Sequence, residues 1–298
     1  MAILNRDGGT LRTMDLDVLC NQAIAIFAGH GHALDCRIVA GAAVEAELQR
    51  VAGTAGVDVM LAAGGDGTVS TAAGIAFATG MPLAVLPAGT MNLFARALQL
   101  PLDLSAAMEA LAGGEIGAVD IATANDRAFV HQFGVGVHAR LVRIRERMVY
   151  RSRIGKMLAS LRAIISAAVR PPDFEAEIQT GNGRERLRVS GIAVSNNPVG
   201  EGHIPHADRL DAGVLGVYMA APMSSWALIR LAIDVLLGRW RASPAVSEQE
   251  VEQVTLSFPR RKRDAHAVID GELIKLAPSV TLKVHPKALK VLLPKTGT

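Results

Sequence analysis

Apolar and polar positions fall into alternating blocks along the first 120 residues. Ala2–Leu4 is a short apolar run that stops at the turn-rich Asn5-Arg6-Asp7-Gly8-Gly9-Thr10. Leu16–Ala28 spaces its apolar residues as a helix does, Cys36–Ala40 reads as a short strand, and Ala43–Val51 is again helical. Val57–Ala63 is continuously apolar, the pattern of a strand covered on both faces. Gly64–Thr68 breaks it, and Val69–Ala78 is helical. Leu83–Leu86 is a second buried strand, ended by Pro87-Ala88-Gly89-Thr90 and followed by a helix over Asn92–Leu98. Strand, loop and helix in this order predict an open, mainly parallel sheet with right-handed crossovers. Ligands in such sheets bind beyond the carboxyl ends of the strands, where both glycine loops fall.

The texture changes after Asp120. Short strands with turn signals are predicted at Ala128–Phe133, Phe174–Gln179, Leu187–Val194, Gly216–Met219, Val254–Phe258, Ala267–Ile269 and Val280–Val284. Helical stretches interrupt them near Ala139–Val169 and Ser224–Arg239. The pattern is that of an antiparallel sandwich or barrel with helical insertions. The expected organisation is a nucleotide-binding α/β domain over 1–122 and a second, β-rich domain over 123–298, of which about the last ten residues return to the first. No repeat at a fixed period and no low-complexity tract is visible.

Composition sharpens this division. Of 298 residues half are apolar, and the mean hydropathy is +0.29, which excludes a disordered chain. The most apolar stretches are broken by Arg162, Arg230 and Asp234, too early for the ~20 uninterrupted apolar residues of a membrane span. Met1–Leu4 is followed at once by Asn5, Arg6 and Asp7, so no signal peptide is expected and a cytoplasmic location is the default. Cys20 and Cys36 predict neither a disulfide scaffold nor a zinc site. The net charge of +3 conceals a split: residues 1–122 hold no lysine and sum to −7, while 123–298 sum to +10. The second region is therefore expected to face an anionic surface. With aromatics at 4% there is little to stack on single-stranded bases, so an anionic membrane is the expected partner and nucleic acid is not.

The two glycine loops carry the candidate chemistry. Gly64-Gly65-Asp66-Gly67-Thr68 leaves a buried strand and opens a helix, so backbone N–H groups and the helix N-terminus form an anion site suited to phosphate. Asp66 is the odd member, because a carboxylate in a phosphate cradle is repulsive. It has a use as a Mg²⁺ ligand, as a hydrogen-bond acceptor for a ribose or substrate hydroxyl, or as part of an Asp-Gly turn capped by Thr68. Gly89 and Thr90 supply a second loop one strand later. Two such loops at neighbouring strand ends grip one nucleotide from both sides. A lysine-free half excludes a Walker A motif, leaving Arg6, Arg96, Mg²⁺ and backbone amides to meet phosphate charge.

Gly64-Gly65-Asp66-Gly67-Thr68 followed by Leu86-Pro87-Ala88-Gly89-Thr90-Met91-Asn92-Leu93-Phe94-Ala95-Arg96 resembles the diacylglycerol kinase catalytic family, which includes sphingosine and ceramide kinases and bacterial lipid kinases. Asn5 to Gly9, Gly8 among them, resembles its first phosphate loop. Gly200-Glu201-Gly202, Pro205-His206-Ala207, Asp270-Gly271-Glu272 and Leu289–Pro294 resemble later parts, so the likeness runs through nearly the whole chain. The resemblance implies an α/β domain followed by a β-sandwich, with ATP-dependent phosphorylation of a lipid hydroxyl in the cleft between them. It implies that Asn5, Gly65, Asp66, Gly67, Thr68 and Thr90 contact ATP, with Gly64 and Gly89 in the same loops, that Asn92 supports the second loop, and that Glu272 accepts the proton. A positioned carboxylate also suits phosphoryl transfer on general grounds. In an extended strand Asp270 and Glu272 would share one face; an exposed Asp-Gly-Glu turn is the plainer alternative. Asp66 is the second candidate for the base or for a metal.

The sequence also departs from that pattern. Leu93 stands where the family often has Asp, Asp211-Ala212-Gly213 replaces Asp-Asp-Gly, and His138 ends a Gly-x-Gly-x segment that usually ends in Asp. Asp120 is retained, so Asp66 and Asp120 remain the candidate metal ligands, with the Mg²⁺ that accompanies ATP expected separately. Arginines interleaved with Leu141, Ile144, Met148, Leu158, Leu161 and Ile165 through His138–Arg170 fit a basic helix at a membrane interface, or a packed helix with a solvated arginine face. The alternatives to a lipid kinase are an NAD kinase-like phosphotransferase, whose downstream Asn-Glu is here Asn196-Asn197-Pro198, and a non-catalytic lipid- or nucleotide-binding protein.

Overall fold

The computed structural model describes residues 1–146, 171–200 and 206–295. The chain packs as two compact units: residues 1–121, 127–130 and 285–298 form one, and 122–126 with 131–284 form the other.

The first unit opens with β1 (Ala2–Asn5), α1 (Leu16–Gly29), β2 (Cys36–Val39) and α2 (Val44–Ala52). It continues through β3 (Met60–Gly64), α3 (Asp66–Thr79), β4 (Leu83–Pro87), α4 (Leu93–Ala97) and α5 (Leu104–Ala112). Strands β5 (Glu115–Ala124) and β6 (Arg127–Phe129) follow, and the end of the chain returns as part of β16 (Ser279–Leu293). The parallel order is β2-β1-β3-β4-β16, with Leu4 beside both Ile38 and Ala63, and Val291 beside Leu83. Every residue of β3 and β4 is buried, as their unbroken apolar runs require. Helices α1 and α5 pack on each other, as do α2 and α3, so the sheet carries two helix layers. Because β1 lies between β2 and β3, the winding reverses there, and a crevice opens at the carboxyl ends of β1 and β3.

The second unit is antiparallel. Strands β7 (Gln132–Gly136), β10 (Gly191–Asn196), β11 (Leu215–Ala220), β12 (Val246–Val251), β14 (His266–Ile269) and β15 (Glu272–Lys275) form one sheet, ordered β12-β11-β10-β7-β14-β15. The other contains β8 (Phe174–Thr180), β9 (Gly183–Val189), β13 (Gln253–Ser257) and the first part of β16, ordered β16-β13-β8-β9. Phe133, Ile192, Leu256 and Leu282 are buried between them, giving the sandwich its core. Helices α6 (Val137–Glu146) and α7 (Ser225–Leu236) are the insertions. The proposed basic membrane helix lies largely in residues 147–170, outside the described residues.

Three expectations need correction. Cys20 on α1 and Cys36 on β2 form a disulfide with Cα atoms 5.9 Å apart, within the span such a bond needs. Two cysteines leave no framework signal in a sequence, and only the packing of α1 against β2 brings them together. The predicted strand Leu187–Val194 is two strands, β9 and β10, which belong to different sheets and part at the buried Ser190. Asp270 and Glu272 are not side by side on one extended strand. Asp270 (φ 46°) and Gly271 (φ 86°) form the two-residue turn of the β14–β15 hairpin, whose flanking pair is Ile269 and Glu272. Positive φ at both turn residues gives a turn of type I′, which matches strand twist and favours Asp-Gly.

Candidate functional site: a three-loop anion cradle

The sequence-predicted nucleotide residues of the first unit lie at the carboxyl ends of β1 and β3, in the connections after β1, β3 and β4, and in the first turn of α3. The first loop is closed by its own asparagine: Asn5 Oδ1 accepts from Asp7 N at 3.0 Å, and Gly8 N donates to Asn5 O at 3.0 Å. The Asn5 amide nitrogen donates to Thr68 Oγ1 at 2.9 Å, tying this loop to the start of α3. Backbone pairs complete the tie: Thr10 N donates to Ala88 O at 2.8 Å and Ala88 N to Gly64 O at 3.1 Å. All three loops are joined before any ligand is considered.

Asp66 has a specific task in this arrangement. Its Oδ1 accepts from Leu93 N at 2.8 Å and its Oδ2 from Asn92 N at 3.3 Å. The carboxylate thus caps the first turn of α4, whose own N-cap residue Asn92 is left-handed (φ 51°) and makes no side-chain cap bond to it. Asn92 instead clasps its loop: Oδ1 accepts from Gly89 N at 2.7 Å, and the amide nitrogen donates to Gly89 O at 3.2 Å. Leu93 therefore contributes through its backbone, at the position where its side-chain type departs from the family pattern.

Two glycines are required by close approach. A Cβ on Gly89 would sit 2.7 Å from Gly65 Cα and 2.8 Å from Asn92 Oδ1, and one on Gly64 would sit 2.6 Å from Thr68 Oγ1. Gly67 has no neighbour within 4 Å of such a position, so the cradle is open there. Thr68 is buried, whereas Thr90 and Gly67 are exposed. The 14-residue helix α3 starts at Asp66, and its first turn leaves amide N–H groups without intrahelical acceptors. An open, glycine-lined helix start is chemically fitted to phosphate oxygens.

Two contacts were not read from the sequence. Asp7 Oδ2 accepts from Gly41 N at 2.7 Å and holds the loop after β2. Arg96 Nε donates to Met91 O at 2.9 Å, bracing the second glycine loop from α4. The Asn-x-Asp-Gly pattern of residues 5–8 is the signal that marks the first of these, since Asn and Asp fold turns onto their own backbone.

The remaining predicted residues are placed elsewhere. Asp120 in β5 is fully buried, and its Oδ1 accepts from Lys287 N at 2.8 Å, where β16 takes a left-handed kink (φ 52°). Among the described residues no group of three or more His, Cys, Asp or Glu is placed to hold a metal. Asp270 and Glu272 belong to the second unit. Asp270 Oδ1 accepts from both His131 N and Gln132 N at 2.9 Å, anchoring the hairpin turn to the start of β7. Glu272 is exposed on the first residue of β15. His138, at the start of α6, lies 3.2 Å from the Gln132 amide nitrogen, and its ring occupies the space that a side chain at Gly134 would need. Asn197 is fully buried with its Oδ1 accepting from Ala212 N at 2.8 Å.

Joined glycine loops thus stand at the switch point of a parallel α/β sheet, where such folds bind their ligands, and an antiparallel β domain follows in the chain. Residues 1–124 match the family model for the diacylglycerol kinase catalytic domain, and residues 132–293 match that for the YegS C-terminal NAD kinase beta sandwich-like domain. The chain belongs to the diacylglycerol kinase catalytic family in this two-domain form. It is 29% identical over 252 residues to the uncharacterized protein sll0036 of Synechocystis, covering 80% of this chain and 55% of that one. A Staphylococcus haemolyticus protein with a provisional lipid kinase name is 26% identical over 256 residues, 79% of this chain and 76% of its own length. The fold matches the crystal structure of a diacylglycerol kinase from Bacillus anthracis with a TM-score of 0.70 at 17% identity, covering 99% of this chain and 96% of that one. The chain therefore spans little more than half of the cyanobacterial relative.

Proposed function

We propose that this protein transfers the γ-phosphoryl group of ATP to the hydroxyl of a lipid of the diacylglycerol or sphingosine type. The observation that carries the reading is the preformed cradle, in which Asn5, Thr68, Gly64, Gly89, Asn92 and Asp66 lock three loops around an open helix start. In this reading Gly65, Gly67 and the first turn of α3 receive the phosphates through backbone amides, and Thr90 lies on the exposed side of the second loop. Phosphoryl transfer depends mainly on position and on charge neutralisation, and the Mg²⁺ that accompanies ATP supplies part of the latter. Asp66 is assigned to loop positioning, because both its oxygens already serve the α4 amides. Asp120 is assigned to holding the β16 kink.

Glu272 is the proposed proton acceptor. As the lipid hydroxyl oxygen forms its bond to the γ-phosphorus, the bond to the β-phosphate oxygen breaks, ADP leaves, and the hydroxyl proton passes to the Glu272 carboxylate. Asp270 positions it by fixing the hairpin turn two residues upstream. An NAD kinase-like role is less well supported, since Asn197 stands where that family's downstream Asn-Glu has its Glu, and its Oδ1 is held by the Ala212 amide.

The test is transfer of radiolabelled phosphate from ATP to a total lipid extract, followed by identification of the product. The wild type should label a lipid; Glu272→Gln should retain ATP binding and lose about 10²- to 10⁴-fold in kcat, the usual worth of a general base. Label appearing in NADP instead of lipid, or ATP binding with no transfer to any lipid, would overturn the proposal.

A further inference from the structure

Helix α7 turns an apolar stripe away from the protein. Trp226, Ile233 and Leu237 are 76%, 49% and 47% exposed. At 100° per residue they and Arg230 lie within about 60° of one another, while the buried Leu228 lies on the opposite side. Ordinary surface helices do the reverse, burying the apolar stripe and exposing the polar face. The helix is well made in itself: Ser224 Oγ accepts from Ala227 N at 3.3 Å at its start, and Gly238 (φ 68°) ends it. The stripe is therefore a formed feature and not a frayed end.

We propose that α7 is a docking helix for the surface of an anionic bilayer, with Trp226, Ile233 and Leu237 entering the interface and Arg230 and Arg239 meeting lipid phosphates. Charge favours this occupant. Arg230 and Arg239 are exposed, and Asp234, the helix's one acid, lies 4.0 Å from the Arg239 guanidinium. Area favours it as well. Three side chains offer a few hundred Å², well under the roughly 800 Å² per partner of a stable protein–protein interface. Tryptophan with apolar and cationic neighbours on one helix is instead the composition of an interfacial helix. The surface adds to the lipid kinase reading, and its test uses neither ATP nor turnover, so either can fail alone.

The chain has two tryptophans, and Trp240 is held edge-on to Tyr218 with ring centres 5.2 Å apart, beneath Arg241 at 4.9 Å. The difference in emission between wild type and Trp226→Phe therefore reports Trp226. Vesicles of phosphatidylglycerol with phosphatidylcholine should shift that emission to the blue and sediment with the protein. Arg230→Gln, a surface change that leaves the fold intact, should weaken partitioning about fivefold. Trp226→Ser combined with Ile233→Ser should weaken it at least tenfold. An unshifted emission, equal binding to phosphatidylcholine alone, or no effect of Arg230→Gln would overturn the proposal. A dimer in solution that the double substitution dissociates would assign the stripe to a second copy of the chain instead.

Discussion

A carboxylate next to a phosphate cradle costs affinity unless something neutralises it or turns it aside. Asp66 is turned aside: both oxygens face the amides that open α4, so its charge is met by a second helix start as well as by its own. Its removal should act on loop order first. Asp66→Ala is expected to cost about 2 kcal/mol of local stability and to weaken ATP binding, with Asp66→Asn recovering part of both. Hydrogen exchange at the Asn92 and Leu93 amides reads the first effect, and calorimetry reads the second. Unchanged exchange at those two amides would refute the capping role. Tyr218 offers a pH test. Burial raises its pKa above the ordinary value of 10, while its hydroxyl accepts from Val199 N at 2.8 Å. A raised folded-state pKa means that the stability is fully present below about pH 10 and is lost as pH rises through the folded value. Tyr218→Phe should melt lower at pH 8, because Val199 N loses its acceptor, and should decline less steeply than wild type above pH 10.

At the scale of elements, the sequence shows best what is periodic and buried. Strands β1, β3 and β4 and helix α1 stand close to where apolar runs and helical spacing put them. Misses fall where tertiary pairing decides. Helix α3 begins at Asp66 and not Val69, because Gly-Asp-Gly has no apolar periodicity to announce a helix. Strand β12, with the sequence VSEQEV, is polar and largely exposed, and only its pairing with β11 makes it a strand. Within the site, the residue types of the two glycine loops were legible, but the Asp66 cap and the Asp270 anchor were not. Each joins segments far apart in the chain, 26 to 139 residues, and spacing cannot reveal them. The Cys20–Cys36 bond belongs to the same class. It closes a loop with a sequence separation of 16, which on the chain-entropy estimate is worth about 3 kcal/mol. Reduction, or Cys20→Ser with Cys36→Ser, should lower the melting temperature accordingly; an unchanged melting curve on reduction would mean that the two thiols stay apart.

Over the whole molecule, the uneven charge has a structural counterpart. The lysine-free, acidic part of the sequence builds the parallel unit, and the basic part builds the sandwich, apart from residues 127–130 and the C-terminal residues 285–298. No helix among the described residues is long and apolar enough to cross a membrane; the buried apolar residues lie mostly in covered strands and on the inward faces of the helices, while the α7 stripe is exposed. That C-terminal segment matters beyond its size, because Leu289 and Val291 are completely buried in the first unit. Val291→Ala should cost about 2 kcal/mol. Deleting residues 285–298 should cost more than a domain's usual margin, abolishing the thermal shift produced by ATP. An ATP response that survives the deletion would show that the parallel unit is complete without β16.

The same thread of chain sets a timetable for biosynthesis. Residues 1–121 carry every loop of the cradle and are made well before the strand that flanks β4, which comes only after the second unit. Until then the nascent unit exposes the edge of β4, a strand whose every residue is buried in the finished protein. Domains usually fold in order as they emerge. Here the parallel unit has to wait for residues that follow the whole of the second unit in the chain.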